Sequence, residues 1–202
     1  PWTKDKMSEA AKLELNLWAN KLLDCLKAQL KELEKSTLKV SNLLGISSFE
    51  ILSFPDNRLD SVELLDLVKK LEEKISLISP EIIYTHHHGD LNIDHKLVNE
   101  AVITACRPVK EKNVKKIFSF EIPSSTDWQL NHNENFNPNY FVDITNQLEK
   151  KICAMKFYQS ELRDWPHSRS IKGIESLAYI RGMQAGFQAA ESFMLLRELV
   201  DW

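Results

Sequence analysis

The chain has 202 residues, 43% of them hydrophobic and 27% charged, which suits one domain with a single sizeable core and excludes wholesale disorder or a fibrous repeat. Its 26 basic and 29 acidic residues leave a net charge of −3, without the clustered basic excess that nucleic acid phosphates call for. Three scattered cysteines (Cys25, Cys106 and Cys153) show no CxxC spacing, so a disulfide framework is not expected and a reducing, cytoplasmic setting is.

No signal-peptide pattern opens the chain, and nowhere does it reach the ~18 uninterrupted apolar residues of a membrane span. The first residue is Pro1 rather than methionine, from which an upstream segment is expected.

In chain order, Leu15, Trp18, Leu22, Leu26, Leu30 and Leu33 recur at helical spacing and predict a long amphipathic helix over 8–34, its leucine stripe facing the protein's own core. The alternative for that stripe is a contact with a second copy of the chain. A shorter helix is expected over 36–44, capped by Gly45, and then a strand over 49–54 stopped by Pro55-Asp56-Asn57. Helical spacing returns over 61–77, and a compact strand follows at 81–85.

A histidine-rich loop then leads into a helix carrying Leu97, Val98, Ala101, Val102 and Ala105, for which Asn92 is the expected N-cap. Further strands are expected at 115–122 and 140–142, separated by a polar stretch, 123–138, with four asparagines and no regular element. A helix over 145–162, a break at Trp165-Pro166-His167 and a final helical region over 170–199, kinked near Gly182 and Gly186, complete the pattern. The economical reading is one α/β domain spanning 1–202, with a mostly parallel sheet whose ligands sit beyond the strand ends, at the loops after Phe54, Thr85 and Ile122.

The loop His86-His87-His88-Gly89-Asp90-Leu91-Asn92-Ile93-Asp94-His95 packs four imidazoles and two carboxylates into ten residues. Neutral imidazole is the commonest metal-binding side chain, and a neighbouring carboxylate fixes its tautomer. A surface histidine run above an ordinary helix cap fits the same letters, so composition leaves both readings open.

The string 85–95 resembles the second signature of the PIG-L/LmbE family of zinc-dependent de-N-acetylases. The resemblance extends to Phe54-Pro55-Asp56-Asn57-Arg58-Leu59-Asp60, to Ser119 through Thr126, to Phe136-Asn137-Pro138, and to Tyr158, Glu161-Leu162-Arg163 and Pro166-His167-Ser168-Arg169-Ser170, from about residue 43 to 197. It implies a Rossmann-like three-layer α/β sandwich in which zinc activates a water against the acetamide of an N-acetylated sugar or glycoconjugate. His95 is then the zinc ligand, Asp94 supports the neighbouring polar residue, and Asn92 faces the oxyanion, where it donates a hydrogen bond but carries no proton to give. If an acid is needed, His86, His87 or His88 has to reach in, and His86 is also an expected substrate contact.

The resemblance also implies an opening strand with a His-Pro-Asp-Asp loop supplying two further zinc ligands and the general base. No such sequence occurs in the 202 residues, so the chain is expected to be catalytically silent on its own. A non-catalytic relative that binds sugar or a partner is the competing reading. A Rossmann-type nucleotide binder is disfavoured by the absence of GxGxxG.

Asp56 and Arg58 after the 49–54 strand, Ser124 in the third loop, and His167 with Arg169 after the helix break are the expected substrate contacts. Turn formation and surface pairing are their ordinary alternatives. Trp128, Trp165 and Trp202 are expected in core or interface packing.

Overall fold

The computed structural model describes residues 9–109 and 114–200, without the side chains of 9–20 and 22–27. The chain divides into two compact units, 1–51 with 153–160 and 52–152 with 161–202.

The first unit is dominated by α1 (Glu9–Leu44), one continuous helix where the sequence reading expected two. Ser36, placed at the expected restart, is instead an interior helical residue, buried, with its hydroxyl donating to the Phe157 carbonyl at 2.9 Å. Helix propensity is a weak prior, and a single serine with its hydroxyl satisfied need not interrupt a helix. Leu30 and Leu33 of the leucine stripe are exposed, contrary to the core-facing expectation; the side chains of Leu15, Trp18, Leu22 and Leu26 lie outside the described residues. The segment 49–54, expected as a strand, carries no regular structure: it pairs with no described strand, and the apolar residues Phe49 and Ile51 are exposed.

The second unit holds the sheet. A 3-10 turn (Leu59–Ser61) precedes α2 (Leu64–Ile78), then β1 (Ile82–His86), α3 (Ile93–Ala105) and β2 (Lys116–Phe120). A short 3-10 turn (His132–Glu134), β3 (Tyr140–Asp143), α4 (Leu148–Lys156), α5 (Ile171–Ala185) and β4 (Ala190–Glu198) follow. The strand order is β1-β2-β4-β3.

The sheet is mixed rather than mostly parallel: β1 runs parallel to β2, while β4 is antiparallel to both β2 and β3. The difference comes from β4, which the sequence reading absorbed into a final helix. Ala190, Glu191, Met194, Leu195, Leu196 and Arg197 are all strong helix formers. Gly186, at φ 77°, ends α5 in the left-handed conformation that glycine adopts at least cost, and the chain reverses to insert between β2 and β3. There both edges of β4 find ladder partners, and that pairing overrides the local preference.

α4 is shorter than the expected 145–162 helix, since Asp143 turns the chain by accepting from the Thr145 backbone N–H at 2.9 Å. Trp128 and Trp165 are exposed rather than packed inside: Trp128 meets the His167 ring edge to face, and Lys172 Nζ lies 4.4 Å from the Trp165 ring centre. Trp202 lies outside the described residues.

The core forms where Leu67, Val68 and Ile75 of α2 and Ala101, Val102 and Ala105 of α3 close over Ile117, with Ile83 and Leu196 packed alongside. The alternate residues of the strands form an aromatic face, with Tyr84 stacked on Phe118 at 5.3 Å and Phe118 4.7 Å from Tyr140. Ile117 is fully buried and Leu77 is 77% exposed, which sets up a direct comparison. Ile117→Ala is expected to cost about 2–5 kcal/mol of unfolding free energy, and Leu77→Ala to stay within about 0.5 kcal/mol, in urea denaturation of the two variants.

Candidate active site

The two parallel strands end side by side, His86 opposite Phe120, so the loops that follow them emerge together. Asn92 caps α3, its side-chain oxygen accepting from the Asp94 backbone N–H at 2.8 Å, as the sequence predicts. Asn99 on the same helix donates to the His86 carbonyl at 2.8 Å and fixes α3 against the end of β1. These two bonds place His95 in the first turn of α3, directly beside the strand end.

Asp90, on the loop between, is fully buried. Its Oδ1 accepts from the Ser125 hydroxyl and from the Asn92 backbone N–H at 3.0 Å. Its Oδ2 accepts from the Thr126 hydroxyl at 2.9 Å and faces His95 Nδ1 at 3.2 Å. Burial alone would raise this carboxyl, but His95, Ser125, the Asn92 N–H and Thr126 together outweigh it and hold the group down at about 2. The His95 contact is one of proximity, since Nδ1 is buried without a hydrogen-bond partner.

The three histidines ahead of Asp90 have separate places. The His86 ring stacks on His95 with centroids 4.3 Å apart, and also borders an apolar groove lined by Ile75, Ile78, Pro80, Tyr84 and Val98. Burial, and then the His95 ring, push His86 down to about 4, Asp90 opposing. His87 is fully buried, its Nε2 2.8 Å from the Glu134 carbonyl, so that nitrogen donates; burial lowers this imidazole as well. The His88 ring packs against His87 with centroids 4.4 Å apart. Gly89 is required by close approach, because a Cβ there would lie 2.1 Å from the Glu134 carbonyl oxygen.

The other expected site residues divide. Asp94 Oδ1 accepts from the Leu59 backbone N–H at 3.0 Å, so it ties down the turn after Arg58. Asn92 Nδ2 donates to Asn57 Oδ1 at 3.1 Å, which brings the 56–58 turn to the edge of the site; Asp56 accepts from Asn57 Nδ2 at 3.2 Å, and the exposed Arg58 opens the 3-10 turn. Ser124 occupies a left-handed turn position at φ 67°, and its neighbours Ser125 and Thr126 supply the hydroxyls to Asp90. His167 Nδ1 accepts from the Arg169 backbone N–H at 3.0 Å, and Arg169 pairs with Glu161 at 2.8 Å, in a cluster with Trp128.

Sequence reasoning missed Asp90, Ser125 and Thr126 as a unit. The available signal was a carboxylate next to Gly89, five residues ahead of His95 in a loop beyond a strand, but the hydroxyl partners 35 and 36 residues away appear only in the fold.

Among the described residues no three His, Cys, Asp or Glu side chains are grouped to hold a metal ion. His95, with a buried carboxylate 3.2 Å from its Nδ1, fits the role of a single ligand.

The buried imidazoles set the acid response. Below pH 6.5 the unfolded chain's His86 takes a proton that the folded form refuses until about pH 4, so stability falls as pH drops through that window. His87 and Asp90 act in the same direction, Asp90 only below 3.8. In metal-free protein the urea midpoint is expected to be lower at about pH 5 than at about pH 7, and His86→Phe, which keeps a ring against His95, to flatten that difference.

Solved structures with the same fold include the conserved protein TT1542 from Thermus thermophilus, at 20% identity and TM-score 0.66, covering 85% of this chain and 76% of that one. The N,N'-diacetylchitobiose deacetylase from Pyrococcus horikoshii aligns at 17% identity and TM-score 0.65, over 81% of this chain and 62% of its own length. GalB, the 4-carboxy-2-hydroxymuconate hydratase from Pseudomonas putida KT2440, aligns at 21% and 0.59, over 85% and 74%. At these identities the likeness is one of fold. Residues 7–106, which contain β1, the Asp90–His95 loop and α3, match the family described as PIG-L: GlcNAc-PI de-N-acetylase, and the chain carries a PIG-L family domain over that span.

Proposed function

We propose that this chain belongs to a zinc-dependent hydrolase that removes the acetyl group from an N-acetylglucosamine-type sugar or glycoconjugate. The observation that carries the reading is the Asp90–His95 pair at the mouth of the parallel strands, inside the matched family span. The deacetylase among the fold neighbours supports it, and the hydratase on the same fold leaves the reaction for assay to decide.

In this reading His95 Nε2 holds the metal as one ligand of several, the others coming from outside the described residues. Zinc supplies Lewis acidity toward a water and an acetamide carbonyl. The chain's own part is orientation. Asp90 places its carboxylate beside the His95 ring, Asn92 keeps one Nδ2 hydrogen beyond the one given to Asn57 and offers it to the carbonyl oxygen, and Asp94 fixes the turn carrying Asp56 and Arg58 toward the sugar. Ser124, His86, His167 and Arg169 remain sugar contacts in the proposal. The exposed, unpaired thiol of Cys153 is compatible with a reducing, cytoplasmic location, and no described helix is long and apolar enough to cross a membrane.

The test is acetate release from N-acetylglucosamine conjugates by the full-length protein with zinc, beside its His95→Ala variant. Activity is expected to fall by more than about 100-fold, beyond the usual cost of losing an outer-shell partner. Unchanged release in His95→Ala overturns the assignment, and sugar binding without any release favours the non-catalytic relative.

A further inference from the structure

We propose that Trp128 is the floor of a second sugar subsite, which takes the pyranose ring next to the N-acetylated one in a glycoconjugate. The identity of the first ring rests on the function proposed above; the platform itself does not.

Trp128 lies two residues beyond Thr126, whose hydroxyl is bonded to the buried Asp90. Two residues of chain span at most about 7 Å, so the indole is carried at the rim of the same site. The stretch before it has little freedom. The Ser125 hydroxyl is bonded to Asp90, the Ser125 carbonyl accepts from the Leu91 N–H at 3.4 Å, and Asp127 Oδ1 accepts from the Ser125 N–H at 3.1 Å. Trp128 is 49% exposed all the same.

Its backing is equally fixed. The His167 ring centre lies 5.1 Å from that of the indole, the two planes at 64°. His167 sits in a turn closed by two backbone bonds, one from its own N–H to the Asp164 carbonyl at 3.0 Å and one from the Ser170 N–H to its carbonyl at 2.9 Å. Its Nδ1 accepts from the Arg169 backbone N–H at 3.0 Å, which leaves the proton of the neutral ring on Nε2, a donor at the margin of the indole.

An indole braced on one side and open on another, with a donor beside it, suits a pyranose ring, which has an apolar C–H face and hydroxyls around its edge. Because the loop and its backing are already ordered, little freedom is lost on stacking. Trp165 is as exposed, at 56%, but Lys172 Nζ lies 4.4 Å from its ring centre, so that ring already has an occupant.

The experiment is isothermal titration calorimetry of the full-length, zinc-loaded protein with glucosamine and with the glucosamine dimer of chitosan, neither of which has an acetyl group to lose. The dimer is expected to bind about tenfold more tightly than the single sugar. Trp128→Ala is expected to remove that difference and leave the affinity for the single sugar unchanged. Trp128→Leu, which keeps apolar bulk without a ring face, is expected to remove it as well, and it decides the matter if Trp128→Ala does not fold.

A dimer that binds wild-type protein no more tightly than the single sugar overturns the proposal before any variant is made, and so does a preference that survives both substitutions. A dimer preference lost with Trp128, in a protein that releases no acetate, keeps the subsite and rejects the hydrolase. Acetate release abolished in His95→Ala, with equal affinities for dimer and single sugar, does the reverse.

Discussion

The site hangs on one buried carboxylate. Removing Asp90 from water is costly, and the structure offsets that cost with donors from two places, the N-cap Asn92 of its own loop and the Ser125 and Thr126 hydroxyls after β2. Because Ser125 and Thr126 are among them, the carboxylate that lies beside His95 also joins the loops following β1 and β2. A second tie, from the Leu91 N–H to the Ser125 carbonyl at 3.4 Å, reinforces that join.

Sheet topology explains why the site lies where it does. β1 and β2 are the hydrogen-bonded parallel pair of the described sheet, so their ends and the loops that follow leave it side by side. β4 and β3 extend the sheet antiparallel and supply core and aromatic packing. The Asp90 loop is in turn clamped by the 3-10 turn at His132–Glu134, whose Glu134 carbonyl reaches His87 and leaves no room for a Cβ at Gly89. Four imidazoles in ten residues thus resolve into different tasks: His87 holds the loop, His86 forms a wall, and His95 faces the buried carboxylate.

The fold leaves the chemistry open in the way expected of a widely used scaffold. A deacetylase and a hydratase share it at about the same distance from this chain. What separates one reaction from another is the set of groups at the strand mouth, and here the contribution of the described residues is the His95 imidazole beside a buried carboxylate and the loops that carry them.

The sequence by itself determined the features whose causes are local. β1 is a short apolar run between turn formers, α3 starts at a capping asparagine, and the stretch after Ile122 is too polar and asparagine-rich for a regular element beyond a single 3-10 turn. It also marked the segment that carries the family match. Tertiary structure decided whatever depends on partners distant in the chain. β4 is written in helix formers and is a strand because two strands flank it, whereas 49–54 is written as a strand and has no described strand to pair with. Asp90 reads as one more polar residue in a histidine loop until folding brings hydroxyls from 35 and 36 positions away to its oxygens. Backbone capping is settled within one turn, but the fate of a strand edge or a buried charge is settled by what the rest of the chain places beside it.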